Sequence, residues 1–581
     1  IVDEEQLLSI FIKKLFTNLQ YSTITDKLIE RTVGCFSDLS QGYQSVRRLV
    51  KLDPIQYFIN NHTQDLFPFL HHSSTTKRSN NSNISASSWS RLRTTFYAAV
   101  GRMLMHEFRY DEDDDDRVEA FMKPFANHSN RLLQIFKEFP DFTAFNVAQF
   151  ATMGQFNPTM ASLDEIQSLI IGIVRDLRGL CSAFVSKQAY ASLFDWLYPS
   201  YLPLFLKALY VFYDRSDVYN PLLKFFHELT SNRQERLAFD STKPSAYLLF
   251  RETSNLLYIF QTKTIVHVNA TIPESDGVLF YKAKLKPIIT CLRIIRACLI
   301  GNYVNFGVFH LYSDPCFDNC LQVFLSILTS IKQTHLLSYP KLTIAYFTLI
   351  ETLSLVQSDF LANLRTPLFG YVLETISEGF LSPDQTVQNS CCIFLDTFLS
   401  YVFRSAKKST APASLMANVN EYGNLFRQIL INLLNGIIFA ECKNIYAVSK
   451  PLLGLILLNE NQFFTEIKQQ LLYGHTQTKQ AVLSTALDKL MTGIDRTLTQ
   501  VNKEHFTQNI TQFRNDIQDS LRGMMINNNN DLSSFMSSIP LSSSFLSTAS
   551  AIATNVPVTI AISTLIPSSS SAAPVEELMT L

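Results

Sequence analysis

Glycine is scarce in this chain, 17 of 581 residues, and strong turn dipeptides are few. A β-sandwich, a barrel or a doubly wound sheet needs both, so the shortage argues against each. Charge is also thin: 17% of residues are charged and the formal net charge is −1, which leaves no global attraction to nucleic acid or anionic lipid. The nine cysteines, from Cys35 to Cys442, are odd in number and scattered through apolar helical patterns. They read as buried thiols of a reducing compartment, not as a disulfide framework. Long apolar runs are missing too. Leu452–Leu458 is too short for a membrane span, which takes about 20 residues, and Ala549–Ile566 is broken by Asn555 and Pro557. No signal peptide opens the chain, and a first residue of Ile1, not Met, leads us to expect a fragment.

The signatures of catalysis are equally sparse. No closely spaced glycines precede a helix to cradle phosphate; Gly172 and Gly301 stand alone. There is no G-x-S-x-G elbow and no reactive-cysteine pattern. Cys316 and Cys320 share a helix face at i, i+4, but a structural zinc site takes four ligands. His62, His71 and His72 lie in polar connectors, where a solvated imidazole is the default. Lys77-Arg78 and Lys407-Lys408 are too short to form a nucleic-acid track. The expectation is a binding protein with no enzyme activity, cofactor or metal, no nucleic-acid partner and no membrane insertion.

What the chain has is apolar residues at helical spacing. The organising stretch is Trp89–Lys123, in which Leu92, Phe96, Val100, Met103 and Leu104 form one stripe. Arg91, Arg93, Arg102 and Glu107 are assigned to the other faces. The cleanest stripe is Val387, Cys391, Phe394, Leu395, Phe398, Leu399 and Val402. Helical segments follow one another from Leu7 to Leu521, and pairs of them recur at about the 40–47 residues of HEAT or armadillo units. The fold class is therefore all-α, a HEAT/armadillo-like solenoid over residues 1–526, with a flexible polar insertion at about 71–90 and an acidic connector at 111–116. Residues 527–581, rich in Ser, Asn and Thr, are expected to be a disordered tail.

Two charged features invite a functional reading. The first is the unbroken run Asp111, Glu112, Asp113, Asp114, Asp115, Asp116. It is either a solvated connector or an arm that engages a basic partner and speeds its encounter; it lacks the spacing and glycine of a calcium loop. The second is Arg175-Asp176-Leu177-Arg178, which interrupts an apolar helix. An ion pair within the helix or between repeats is the simpler account, and a partner contact through Arg175 and Arg178 the other.

RLRTTFYAAVGRMLM (Arg91–Met105), IVRDLRGL (Ile173–Leu180), WLYPSYLP (Trp196–Pro203), YVNFGVFHLY (Tyr303–Tyr312), KPLLGLILLNE (Lys450–Glu460) and HFTQNITQFR (His505–Arg514) together resemble the exportin-7 family of nuclear transport receptors, within the importin-β superfamily. In order and spacing these blocks are similar to the C-terminal half of such a receptor, from about Asp26 to Leu521. The resemblance implies a HEAT-repeat stack that binds Ran-GTP and folded cargo with a basic surface. It also implies a receptor that meets nucleoporins, shuttles between nucleus and cytoplasm, and releases cargo after hydrolysis of a GTP held by Ran. An import or bidirectional receptor, or a static α-solenoid scaffold indifferent to Ran, is the alternative.

Overall fold

The computed structural model describes residues 4–21, 26–63, 65–70, 86–106, 112–137, 163–240, 242–408, 411–439, 444–473 and 477–527. The tail from 528, most of the polar insertion (71–85), Asp111, Glu107, Cys442 and the histidines at 71 and 72 lie outside them. Every regular element among the described residues is helical, as the scarcity of glycine and the 3.6-residue periodicity require. The chain divides into two compact units, Ile1–Leu349 and Ile350–Leu581.

Unit 1 is built from α1 (Glu4–Gln20), α2 (Asp26–Leu39), α3 (Asp53–Asn60), α4 (Ala86–Leu104), α5 (Glu112–Lys137), α6 (Leu163–Ala183), α7 (Lys187–Leu197), α8 (Leu202–Val211), α9 (Ser216–Leu229), α10 (Ser245–Ile259), α11 (Lys286–Ile300), α12 (Cys316–Ser330) and the start of α13 (Pro340–Val356), joined by short helical turns. These form two rows. In one, α1, α3, α5, α8, α10 and α12 pack in succession; in the other, α2, α4, α6, α9 and α11 do. Neighbours in sequence close the rows on each other, as α5 does on α6 and α8 on α9. Each helix thus buries one face against its own row and one against the other, the arrangement of a solenoid.

The start of unit 1 is held by rings. Phe16 stacks on Phe58 at 4.3 Å between centroids, and Phe58 meets Phe96 edge-on at 5.2 Å. Such pairs contribute about 0.5–1.5 kcal/mol each beyond the area they bury. Local signals fix the helix ends. Asp164 and Glu165 favour the positive N-terminus of α6, and the Ser186 side chain accepts from the Ala189 amide at 3.2 Å to cap α7.

Unit 2 repeats the plan with α14 (Thr366–Gly379), α15 (Gln385–Lys407), α16 (Gly423–Phe439), α17 (Ile445–Leu458), α18 (Gln477–Leu490) and α19 (Gln500–Asn527). Here α15, α17 and α19 pack in succession, and α14 packs on α16. The stripe from Val387 to Val402 is buried throughout. Asp384 caps α15 by accepting from the Thr386 amide at 2.8 Å.

Three expectations need correction. Row helices α4, α6, α9 and α11 begin at Ala86, Leu163, Ser216 and Lys286, so the units run longer than the HEAT period, because short helices and turns are inserted between partners. The acidic run is not a connector: Glu112–Asp116 opens α5, where carboxylates favour the helix N-terminus. His62 is not a solvated histidine but 2% exposed. Its ring lies against Phe121 and Phe125, with Nε2 3.0 Å from the Phe121 carbonyl and Nδ1 3.4 Å from the Tyr97 hydroxyl. Burial pushes its pKa down to about 4, so the ring is neutral, with Nε2–H donating and Nδ1 accepting. The cysteines keep their expected character: the eight described are free thiols, and all but Cys35 are buried.

Candidate functional site

The α4–α6 junction decides which charges reach the surface. Gly172, Asp176, Gly179 and Ala183 recur at i, i+4, i+7 and i+11 and so share one face of α6. A Cβ on Gly179 would lie 2.5 Å from the Thr94 carbonyl oxygen, so glycine lets the two backbones touch there. One turn earlier, Asp176 accepts from Arg93 Nε at 2.8 Å and from Arg93 Nη2, while Nη1 donates to the Leu70 carbonyl. The two side chains are 3% and 2% exposed. Arg93 was expected on a solvent face; it falls instead in register with Phe96, Tyr97, Val100, Met103 and Leu104, all buried. Burial pushes the Asp176 carboxyl up and the Arg93 guanidinium opposes that shift. Burial also works against the Arg93 charge, but the Asp176 carboxylate outweighs it and holds Arg93 above its ordinary value. The pair is charged and bidentate.

A second buried guanidinium joins α6 to α9. Arg236, fully buried, donates to the carbonyls of Cys181 and Phe184 at the end of α6 and to those of Glu228 and Ser231 at the end of α9. It also lies over the Tyr190 ring at 5.0 Å. Carbonyls that helix ends leave unpaired thus share one cation. Glu228 completes the group, pairing with Arg236 at 3.5 Å and with Arg233 at 3.0 Å.

With Asp176 turned inward, Arg175 and Arg178 stand three residues apart on the outward side of α6. Next to them come Lys224 and His227 of α9, then Lys286 and Arg293 of α11. Their mutual influence is visible in their protonation. Burial, then Arg178 and Arg91, push Arg175 down to about 10. Burial, then Lys286, Arg178, Arg175 and Arg91, push Lys224 down to about 8. Burial, then Arg293, Arg178 and Arg233, push His227 down to about 4. Among the described residues Arg175, Arg178, Lys224, Lys286 and Arg293 have no ion pair. The nearby carboxylates are engaged elsewhere: Asp176 with Arg93, Glu228 with Arg236 and Arg233, Asp217 with Lys282 at 2.8 Å. The result is a cationic face across α6, α9 and α11.

One end of this face sinks into a cavity of about 900 Å³, lined by His227, Arg233, Arg293, Arg296, Ile300 and Ile344 among others. Its walls are mixed. Ile300 is half exposed, and Arg296 Nε donates to the Thr348 carbonyl at 3.2 Å, tying α11 to α13. The rim is fixed by Asn232, which donates to the Gly301 carbonyl at 2.5 Å and accepts from the Leu237 amide at 2.8 Å.

Of the residues singled out in the sequence, Arg175 and Arg178 belong to this face and Asp176 is the inter-repeat pair. Asp111 lies outside the described residues, Glu112–Asp116 start α5, and Asp116 is exposed. The acidic run and the two arginines stand on different helices, α5 and α6, which pack together. Lys224 escaped sequence reading because it is the only lysine or arginine of α9, and Lys286 and Arg293 because the cations of α11 are spread along the helix and form no run. Among the described residues no group of metal-ligand side chains gathers, and no helix is long and apolar enough to cross a membrane.

Residues 1–78 match the family described as "Exportin-7-like, TPR domain". The chain is 37% identical over 530 residues to Exportin-7-B of Xenopus laevis, covering 90% of this chain and 45% of that protein. It is 36% identical over 533 residues to Ran-binding protein 17 of Homo sapiens, with the same coverage, and 27% identical over 518 residues to Exportin-7 of Dictyostelium discoideum, covering 89% of this chain and 47% of that one. The chain spans about half the length of the curated relatives it matches.

Proposed function

We propose, from its similarity to exportin-7 and Ran-binding protein 17, that this chain is part of a nuclear export receptor that carries folded protein through the nuclear pore in a Ran-GTP-dependent cycle. The observation that carries this reading is the relationship over nine-tenths of the chain to proteins named for export and for binding Ran. The helical rows support it physically, because stacked repeats present long side-chain faces suited to gripping a protein surface. In this reading GTP is held by Ran and not by this chain, nucleoporins are met in transit, and the protein shuttles between nucleus and cytoplasm.

Export requires that Ran-GTP and cargo favour one shape of the stack, so that each raises the affinity for the other by the same factor. The acidic run Asp111–Asp116 then serves as a steering element for a basic cargo or for Ran, acting on the encounter rate more than on the lifetime of the complex. Residues 1–526 form the repeat stack in this reading, and 527–581 a tail outside it.

The test is a pull-down with the full-length protein against Ran loaded with GTP or with GDP. Retention of Ran-GTP and not Ran-GDP, strengthened by a bound cargo, is the expected result. Equal retention of both forms, or of neither, would leave a scaffold with no place in a transport cycle.

A further inference from the structure

We infer that the cationic face of unit 1 is a docking surface for an acidic segment of a partner protein, one that also carries large apolar side chains. The transport reading concerns a basic cargo and Ran; this inference does not depend on it.

Three observations carry the assignment. First, Arg175, Arg178, Lys224, Lys286 and Arg293 are brought together from three helices and have no ion pair among the described residues. A folded chain whose charges nearly cancel, 49 basic against 50 acidic, has carboxylates to spare, yet Asp176, Glu228 and Asp217 are already engaged. The face is therefore complementary to negative charge from outside. Secondly, arginines predominate, and a guanidinium fork matches a carboxylate in two parallel hydrogen bonds. Thirdly, the adjoining cavity sets Ile300 and Ile344 beside Arg293, Arg296 and Arg233, three guanidinium groups against the single carboxylate of Glu235, which pairs with Lys187 at 4.0 Å. A phosphate chain has no use for apolar walls between the cations, whereas a peptide can place carboxylates on Arg178 and Arg293 and seat an apolar side chain against Ile300. The pinned rim at Asn232 and Gly301 lowers the ordering cost of binding.

The face spans helices, so an extended segment lying across α6, α9 and α11 fits it better than a point ligand. A peptide of about twelve residues reaches roughly 40 Å when extended, enough to cross three helices about 10 Å apart.

The test uses the 581-residue chain and a fluorescein-labelled peptide of Glu-Glu-Leu repeats, read by anisotropy. Saturable binding is expected, weakening as salt rises beyond about 0.1 M. Arg293→Glu, an exposed position, should weaken it roughly ten-fold, and Lys224→Gln a few-fold. Because Arg293 is exposed and unpaired, circular dichroism of that variant should match the parent, so loss of binding reports the face and not misfolding. A Lys-Lys-Leu peptide should not bind. The inference is overturned if the acidic peptide fails to bind at low salt, if Arg293→Glu binds as the parent does, or if a neutral Gln-Gln-Leu peptide binds equally. It also falls if an oligothymidylate of equal charge binds more tightly at the same residues, or if the chain dimerises through this face and the peptide merely competes.

Discussion

Removing Arg93 should loosen the α4–α6 junction more than any single apolar truncation nearby. In Arg93→Met the aliphatic stem is kept and the guanidinium is lost. Asp176, 2% exposed, is then left in the interior without a counter-ion, and the Leu70 carbonyl loses its donor. Breaking a buried pair from one side costs about 3–5 kcal/mol. The double variant Arg93→Met/Asp176→Leu removes both charges and should recover most of that loss, since apolar replacement of a buried pair is often neutral or favourable by about 1–4 kcal/mol while an orphaned carbonyl costs about 1–3. A global melting temperature is a poor readout for a chain of two units. Amide hydrogen exchange in α4 and α6 reports the junction itself, with α15 and α17 as internal reference. Arg93→Met should speed exchange there a hundred-fold or more, at about 1.4 kcal/mol per decade. An increase below ten-fold, or a double variant worse than the single, would show that the pair is hydrated or dispensable and that packing alone holds the helices.

Other expectations follow from the same geometry. The fold holds His62 neutral down to about pH 4, while the unfolded chain takes up a proton below about 6.5. Stability present above pH 6.5 therefore drains away as pH falls toward 4, by about 3 kcal/mol; in His62→Gln, which can donate and accept in the same places, unfolding should lose that slope. Gly179→Ala drives a methyl against the Thr94 carbonyl and should cost about 1–3 kcal/mol. Gly34→Ala and Gly436→Ala, with nothing within 4 Å, should gain about 0.5–1 in chemical denaturation. Replacing Asp111–Asp116 by Asn and Ser should slow association with a basic cargo or Ran and flatten its salt dependence in stopped-flow; unchanged rates at low salt would remove the run from the binding step.

The helices were legible because their signal is local. Val387 to Val402 states its own buried stripe, and all seven of its members are buried in α15. The polar interruption at Arg175–Arg178 was legible as an ion pair, but its partner was not: Arg93 lies 83 residues away, and no periodicity reports which turn of another helix faces it. A clue was present in α4 itself, where Arg93 falls three and four residues before Phe96 and Tyr97 and so sits on the apolar stripe. A charge in that register asks for a buried counter-ion. The acidic run misled for the opposite reason. Six carboxylates in a row read as solvated chain, yet Glu112–Asp116 open α5. Of the cationic face only Arg175 and Arg178 showed in sequence order, since its members come one or two at a time from helices separated by dozens of residues.

The anchors and the face have a common origin, which gives the inferred docking a further consequence. The acids of α6 and α9 that could have neutralised the surface are spent on Arg93, Arg236 and Arg233. The bonds that fix the spacing of α6 and α9 therefore also leave Arg175, Arg178 and Lys224 uncompensated. A ligand lying across these helices would tie together elements already joined by Arg236. It should protect their amides in proportion to its occupancy, by RT ln(1 + [L]/Kd), and leave α15 and α17 unchanged. Weakening the junction with Arg93→Met should then weaken peptide binding as well, although Arg93 itself is buried and touches no ligand, because α6, which carries Arg175 and Arg178, would no longer be held against α4. Parent affinity in Arg93→Met would show that the face assembles without its anchor and that the two are neighbours only by accident of the stack.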